Sequence, residues 1–467
     1  MPRHAFLIIL MIVCLAGCMT MAPDYKRPEA PVPAEWPAGP AYQGTSGGQT
    51  GPAATEIGWR EFYGDEKLQK VIALSIDNNR DLRLAALNIE RARALYGIQR
   101  AELFPAVDAS GSVNKYRVPA DISEKGEART FTFYNANLGI TSWELDFFGR
   151  IRSLNDWALQ QYLATEQARR SAEISLAAGV ASAYLTLAAD HENLSLARST
   201  LEAQEATYKL ILRRYEAGAS SELDLRQVQT RMEAARVDVA RYTGQVAMDE
   251  NALHLLVGSP VPADLLSDSL DAIAVPKDIS PGLSSQVLLQ RPDILQAEDL
   301  LKAANANIGA ARAAFFPRIT LTSSIGTTSD DLSRLFKAGS SSWAFVPQVT
   351  MPIFDPRVWS ALKEIKVERE IALTQYEKAI QSAFKEVADA LARKSTVEDQ
   401  LTAQQSLVDA TAGAYRLSGA RYKSGIDSYL PVLDAQRSLY SAQQGLIALR
   451  LVRLTNRVTL YKVLGGG

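Results

Sequence analysis

The chain is poor in the residues that most metal sites and many reactions require. Its 467 residues include two cysteines, Cys14 and Cys18, and three histidines, at 4, 191 and 254. No two histidines stand at ligand spacing. If the first segment is processed after Gly17, Cys18 alone is left, which excludes an internal disulfide and a thiolate metal site. Neither charge is in excess: 50 Lys and Arg stand against 52 Asp and Glu, for a formal net charge of -2. The basic stripe of a nucleic-acid binder is therefore missing. There is no His-Glu-x-x-His, no cysteine left as a nucleophile and no carboxylate pair that stands out, so nothing points to a catalytic centre. After residue 18 no apolar run reads as long enough for a transmembrane helix. The remainder is ordinary for a folded chain, 47% hydrophobic and 22% charged.

The first seventeen residues read as a signal peptide. Arg3 and His4 give a basic start, and Ala5 to Ala16 is an apolar run too short to span a bilayer. It ends in Leu15-Ala16-Gly17-Cys18, which resembles the bacterial lipobox. The resemblance implies cleavage before Cys18 and a covalent lipid on it. Each buried methylene contributes about 0.8 kcal/mol, so several acyl chains anchor firmly. Position 19 is Met rather than Asp, which by resemblance to the sorting rules of enteric bacteria favours the outer membrane over retention at the inner one.

An internal repeat sets the architecture. Asp81, Gly97, Arg100 and Phe104-Pro105 recur as Asp293, Gly309, Arg312 and Phe316-Pro317, at an offset of 212. Arg214-Tyr215 and Gly218 recur as Arg421-Tyr422 and Gly425, at an offset of 207. Each repeat predicts a helix of about 30 residues that stops at Phe-Pro, since proline restricts its predecessor. Two strands come next, then a very long helix. Residues 151–216 contain no proline and one glycine, and 357–424 no proline and two glycines. At 1.5 Å per residue each helix reaches about 100 Å. Gly218 and Gly425 supply the left-handed turns that end them. Return helices run from about Ser221 to Val257 and from Ser428 to Leu464, the second with Pro431 in its first turn.

The strands alternate. Val107, Ala109, Gly111 and Val113 oppose Asp108, Ser110 and Ser112; Tyr134, Ala136, Leu138 and Ile140 do the same on the way back. The second repeat has Ile319, Leu321 and Ile325, then a less regular strand from Trp343 to Phe354. This is the pattern of a transmembrane strand with one lipid face and one wet face. Phe104, Trp143, Phe147, Phe148, Phe316 and Phe354 stand where an interfacial aromatic belt belongs. Four strands cannot close a barrel, so membrane-spanning strands must be pooled between chains.

These residues resemble the TolC-like outer-membrane factors, in the lipoprotein branch that serves multidrug efflux pumps. The specific matches are Pro23-Asp24-Tyr25-Lys26-Arg27-Pro28, Trp59 to Phe62 with Asp65 and Leu68, and Asn78 to Leu82. Further matches are Gly282-Leu283 leading into Arg291-Pro292-Asp293-Ile294, and Phe354-Asp355. The resemblance implies a mainly α fold with a small membrane β portion. It implies a homotrimer whose twelve-stranded β-barrel continues into a twelve-helix periplasmic α-barrel. The implied partners are a periplasmic adaptor, an inner-membrane efflux pump and outer-membrane lipid, with no nucleic acid, no metal and no cofactor beyond the lipid on Cys18. Cargo passes through chemically unchanged. The family closes its tunnel at the helical tips, which maps a periplasmic gate onto Asp434, Arg437, Tyr422 and Asp224, beside the tip turns at Gly218 and Gly425. Asp427 occupies a position where some relatives carry an Arg, so the ion pair between hairpins must differ from theirs or be absent.

The divisions expected are a signal peptide at 1–17, an anchored extension at 18–62, a first repeat at 63–262, a linker at 263–281 and a second repeat at 282–467. The competing readings keep the fold and change the cargo, to protein secretion or metal efflux, or make the chain a periplasmic adaptor lipoprotein. Two long hairpins in tandem speak against the last.

Overall fold

The structure, a computed structural model, describes residues 20–42, 54, 57–279 and 284–466. Cys18, the signal segment and Gly282-Leu283 lie outside the described residues. By contact density the chain divides into two compact units, and the division runs across the repeats. Among the described residues, one unit lies within 20–29, 88–166 and 296–376, and the other within 30–87, 167–295 and 377–466.

Eight α-helices and four strands are named here: α1 (Trp59–Phe62), α2 (Glu66–Asn78), α3 (Arg80–Ala101), β1 (Val107–Val118), β2 (Arg129–Glu144), α4 (Arg150–Glu216), α5 (Glu222–Val257), α6 (Pro292–Ala313), β3 (Arg318–Ser329), β4 (Ser341–Thr350), α7 (Pro356–Lys423) and α8 (Leu430–Val463). The long helices α4 and α7 hold 67 and 68 residues and begin and end within a residue of the expected limits.

Two expectations need correction. The first helix of each repeat is not a single run of about 30 residues. In repeat one it breaks at Asn79, whose backbone is extended. Its side chain does two jobs there, accepting from the Leu82 N–H at 2.9 Å and donating to the Leu256 carbonyl at 2.8 Å. In repeat two a short 3-10 turn, Ser285–Gln290, precedes α6. Arg291 lies between them, buried, and donates to the Val463 carbonyl at 2.6 Å. Second, α4 does contain a stretch long and apolar enough to cross a bilayer. More than half of that window is buried. Val180, Ala181, Leu185, Leu187 and Ala188 are core, because an alanine-rich stripe lets helices approach closely.

The four strands form one antiparallel sheet in the order β1-β2-β3-β4. Its register carries the sequence alternation across all four. Ala109, Leu138, Ile325 and Trp343 form one cross-strand row, and Val107, Ile140, Ser323 and Phe345 the next. The opposite face carries Ser110, Asn137, Gly326 and Ser342. Between Ile140 and Trp143 the register shifts by a bulge at Ser142, the single non-glycine residue at positive φ among those described. Without it Ser142 would face Leu321; with it Trp143 does, and the tryptophan stays on the apolar face. Of the six belt aromatics, Phe104 and Phe354 are well exposed, and Phe148 stacks on Phe316 at 5.0 Å between ring centroids.

Candidate functional site

The two hairpin turns are built alike at their first halves. Gly218 and Gly425 both adopt left-handed φ, at 68° and 71°. In each, the glycine N–H reaches the carbonyl three residues back, Tyr215 or Tyr422, and the next N–H reaches Arg214 or Arg421. That pair of bonds satisfies the carbonyls a helix end leaves open, and only glycine adopts this turn without a Cβ penalty.

The second halves differ. Helix α5 begins with Ser221 as N-cap and a reciprocal capping box with Asp224. The Asp224 carboxylate accepts from the Ser221 hydroxyl at 2.7 Å and from the Ser220 hydroxyl at 3.3 Å. These bonds, the Ser221 hydroxyl first, hold its pKa below the usual aspartate value, and the charge of Arg214 adds to this. Helix α8 has no side-chain cap. Its preceding residue is Tyr429, with Pro431 in the first turn. Tyr429 is held by packing, edge-on to Tyr422 at 4.8 Å and in a buried cluster with Ile211, Leu225, Val228, Val432 and Leu433.

Of the residues expected at a gate, the structure joins some and separates others. Tyr422 does bridge the hairpins: its hydroxyl accepts from Arg214 Nη1 at 2.8 Å, and the guanidinium lies 5.6 Å from its ring centroid. Asp434 and Arg437 pair with each other along α8, both side chains 60% exposed. Asp224 serves its own hairpin as a cap. Asp427 pairs with Arg421 in its own hairpin, so the link between hairpins runs from Arg214 to Tyr422 instead. Arg214, which in the sequence is marked only by the Arg-Tyr repeat, is the residue that holds Tyr422 across the hairpins.

A second ordered feature explains the Pro23–Pro28 motif. The extended segment after residue 20 lies along α6, held by three side chains spaced seven residues apart. Arg312 donates to the Met21 carbonyl at 2.9 Å, and Asn305 to that of Pro23 at 2.7 Å. Glu298 receives the Arg27 guanidinium through two bonds, at 2.9 and 2.6 Å, and the Tyr25 hydroxyl at 3.1 Å. Burial pushes the Glu298 carboxyl up, but Arg27 and Lys302 outweigh it and keep the group ionised. At Gly309 any Cβ would strike Ala22 and Ser153, so glycine lets the segment sit down on the helix.

A third cluster was invisible in the sequence. Asp190 on α4 and Asp249 on α5 lie within hydrogen-bonding reach. Burial first, then Asp249, raises the Asp190 pKa to about 6. Asn193 donates to Asp190 and Gln245 to Asp249, while Asp249 Oδ2 is buried with no donor of its own. Below about pH 6 a proton on Asp190 can supply that donor.

The comparisons with known proteins agree with this geometry. The model of the outer membrane efflux protein family matches residues 71–259 and 283–466. The antibiotic efflux pump outer membrane protein ArpC of Pseudomonas putida is 51% identical over 469 residues, covering 100% of this chain and 96% of the relative. The toluene efflux pump outer membrane protein TtgC, also of Pseudomonas putida, has the same identity and coverage. The crystal structure of the open state of the Neisseria gonorrhoeae MtrE outer membrane channel superposes with a TM-score of 0.85 at 37% identity, covering 96% of this chain and 98% of that one. A tandem repeat of strand pairs and long helical hairpins, matched from end to end by such channels, places the chain in the outer membrane efflux protein family as the outer-membrane channel of an efflux system.

Proposed function

We propose that three copies of this chain build one closed duct, anchored by lipid on Cys18, that receives cargo from a periplasmic adaptor and an inner-membrane pump. The observation that carries this is the sheet: among the described residues β1 and β4 each pair on one side only. A bilayer does not tolerate open strand edges. Pairing β1 of one copy with β4 of the next satisfies them, and three four-stranded sheets give twelve strands. Exposed Leu84, Leu87, Leu95 and Ile98 on α3 supply apolar surface for neighbouring copies. Exposed Leu223, Ile426 and Leu430 at the hairpin turns suit an adaptor's helical tips. The antibiotic and solvent transport named for the relatives suggests small, largely apolar cargo. The duct conducts its cargo and performs no catalysis. Arg214, Tyr422, Asp224, Asp434 and Arg437 would form its periplasmic gate.

Light scattering in detergent, corrected for bound detergent, tests the assembly. Three chains per particle is expected, and a stable monomer refutes the shared barrel. Mass spectrometry of the N-terminal peptide reads the lipid on Cys18. An unmodified N-terminus at any other residue refutes the anchor.

A further inference from the structure

We propose that the cleft between the anchored segment, α6 and α7 binds the phosphate-bearing headgroup of a phospholipid from the inner leaflet of the outer membrane. The cleft has a volume of about 450 Å³, and Pro23, Asp24, Asn305, Arg312, Lys363 and Lys366 are among its lining residues. Arg369 and Glu370 also line it but pair with each other. Arg312 is committed to the Met21 carbonyl. Lys363 and Lys366 make no ion pair among the described residues, so two cations stand free against the single carboxylate of Asp24.

Three observations point to a membrane lipid. First, depth: α7 starts six residues after the end of β4, and Lys363 and Lys366 lie seven and ten residues into it. At 1.5 Å per residue that is roughly 10 to 15 Å below the helix start, a little beyond a headgroup layer of about 5 to 8 Å, a gap that a lysine side chain reaching back can span. Cβ bonds tilt toward a helix's N-terminus, which for α7 is the strand end, so both lysines are aimed back toward the bilayer. Second, the same helix face carries Trp359 one turn nearer the strands, 66% exposed and edge-on to Phe315 at 4.9 Å. Tryptophan at the interface with lysines below it is the side-chain order of a lipid boundary. Third, the segment that ends at the acylation position borders this cleft and, with Thr20, Met21 and Ala22, a second one beside Phe315 and Phe316. The first and second observations rest on the outer-membrane location; only the third rests on the anchor at Cys18.

The full-length channel, reconstituted in nanodiscs of phosphatidylethanolamine and phosphatidylglycerol and released into mild detergent, is read by native mass spectrometry for retained phospholipid. The wild type is expected to retain it, and Lys363→Gln/Lys366→Gln to bind roughly thirtyfold more weakly, from the usual contribution of two lysines near an anionic surface. Lys363→Arg/Lys366→Arg should restore retention, and Lys70→Gln/Arg83→Gln, which removes equal charge elsewhere, should leave it unchanged. Oligomer yield is followed in parallel, and Lys363→Gln alone should move retention in the same direction with less risk to assembly. Equal retention by wild type and double variant overturns the proposal. So does binding of inorganic phosphate at Lys363 and Lys366 without any lysine-dependent phospholipid retention, which would make the ligand a free ion. The N-terminal peptide mass reports acylation of Cys18 separately, so failure of the anchor and failure of this site are told apart.

Discussion

The two hairpin turns end their first helix identically and start their second by different means. The first carries its order locally: Ser221 and Asp224 cap α5 by themselves. The second borrows order from its neighbour, because α8 has no side-chain cap and Tyr429 is held by residues of the first hairpin. A local cap survives when two hairpins part; a borrowed one does not. In the proposed gate, the second hairpin would therefore be the element that moves and the first the post against which it closes.

Removing the borrowed order should have the largest effect. Tyr429→Ala deletes a buried ring from the cluster around Val228 and Leu433, at a cost of about 3 kcal/mol by analogy with other buried aromatics. Hydrogen exchange should accelerate across residues 425–440 and hardly at all across 217–226, with a rise in single-channel conductance. Equal acceleration in both turns would erase the asymmetry.

The next test leaves the turns and probes the carboxyl pair behind them. Asp190 has a folded pKa raised to about 6 from an ordinary value of 3.8, so the folded state binds the extra proton between those values. Stability should fall as pH rises from about 4 to about 6 and level off above. Asp190→Asn keeps a donor for Asp249 and should remove that slope. After discount for solvent screening the gain near pH 7 is about 1 to 2 kcal/mol, seen as a raised melting temperature. An unchanged slope would mean that the two carboxyls do not share a proton.

Asp224→Ala sharpens the comparison from the other side. Loss of the capping box should cost about 1 kcal/mol and speed exchange at Glu222 to Leu225, leaving residues 425–440 nearly untouched. Because the Asp224 pKa is lowered in the folded state, the cap is intact above the ordinary aspartate range and is lost as pH falls through the lowered value.

Much of this was legible in the sequence, for reasons that are local. Proline-free stretches mark α4 and α7, and left-handed glycines mark their ends. Period-two alternation marks three of the strands closely; β4, with Pro347 inside and Pro352 beyond, was placed less well, from Trp343 to Phe354 instead of Ser341–Thr350. What escaped depends on partners distant in the chain. Asn79 breaks a helix because a carbonyl 177 residues away needs its amide. Ser142 bulges to keep Trp143 in register with Leu321. Asp190 and Asp249 look like ordinary charges on a helix until α4 and α5 fold together. The apolar stretch of α4 escaped for a different reason, since alanine contributes to length and hydropathy without looking like a membrane run.

The smallest effect on stability, and the clearest on conduction, belongs to Asp434. Its pair with Arg437 is exposed and three residues apart on one helix, so it contributes a few tenths of a kcal/mol to the fold. In the proposed trimer the same carboxylate would take on a second role near the threefold axis. Two unit charges about 6 Å apart repel by roughly 0.7 kcal/mol in water and by several times that where water is partly excluded. Arg437 would offset part of this, and a divalent cation the rest. Asp434→Ala is therefore expected to leave melting unchanged while weakening block by divalent cations added from the periplasmic side of a planar bilayer. Tyr422→Phe, which removes the Arg214 bond but keeps the ring on Tyr429, should raise leak and leave the cation block intact. If Asp434→Ala leaves both conductance and block as they were, the three carboxylates do not meet at the axis, and closure rests on contacts between the hairpins, the Arg214–Tyr422 link and the Tyr429 cluster among them.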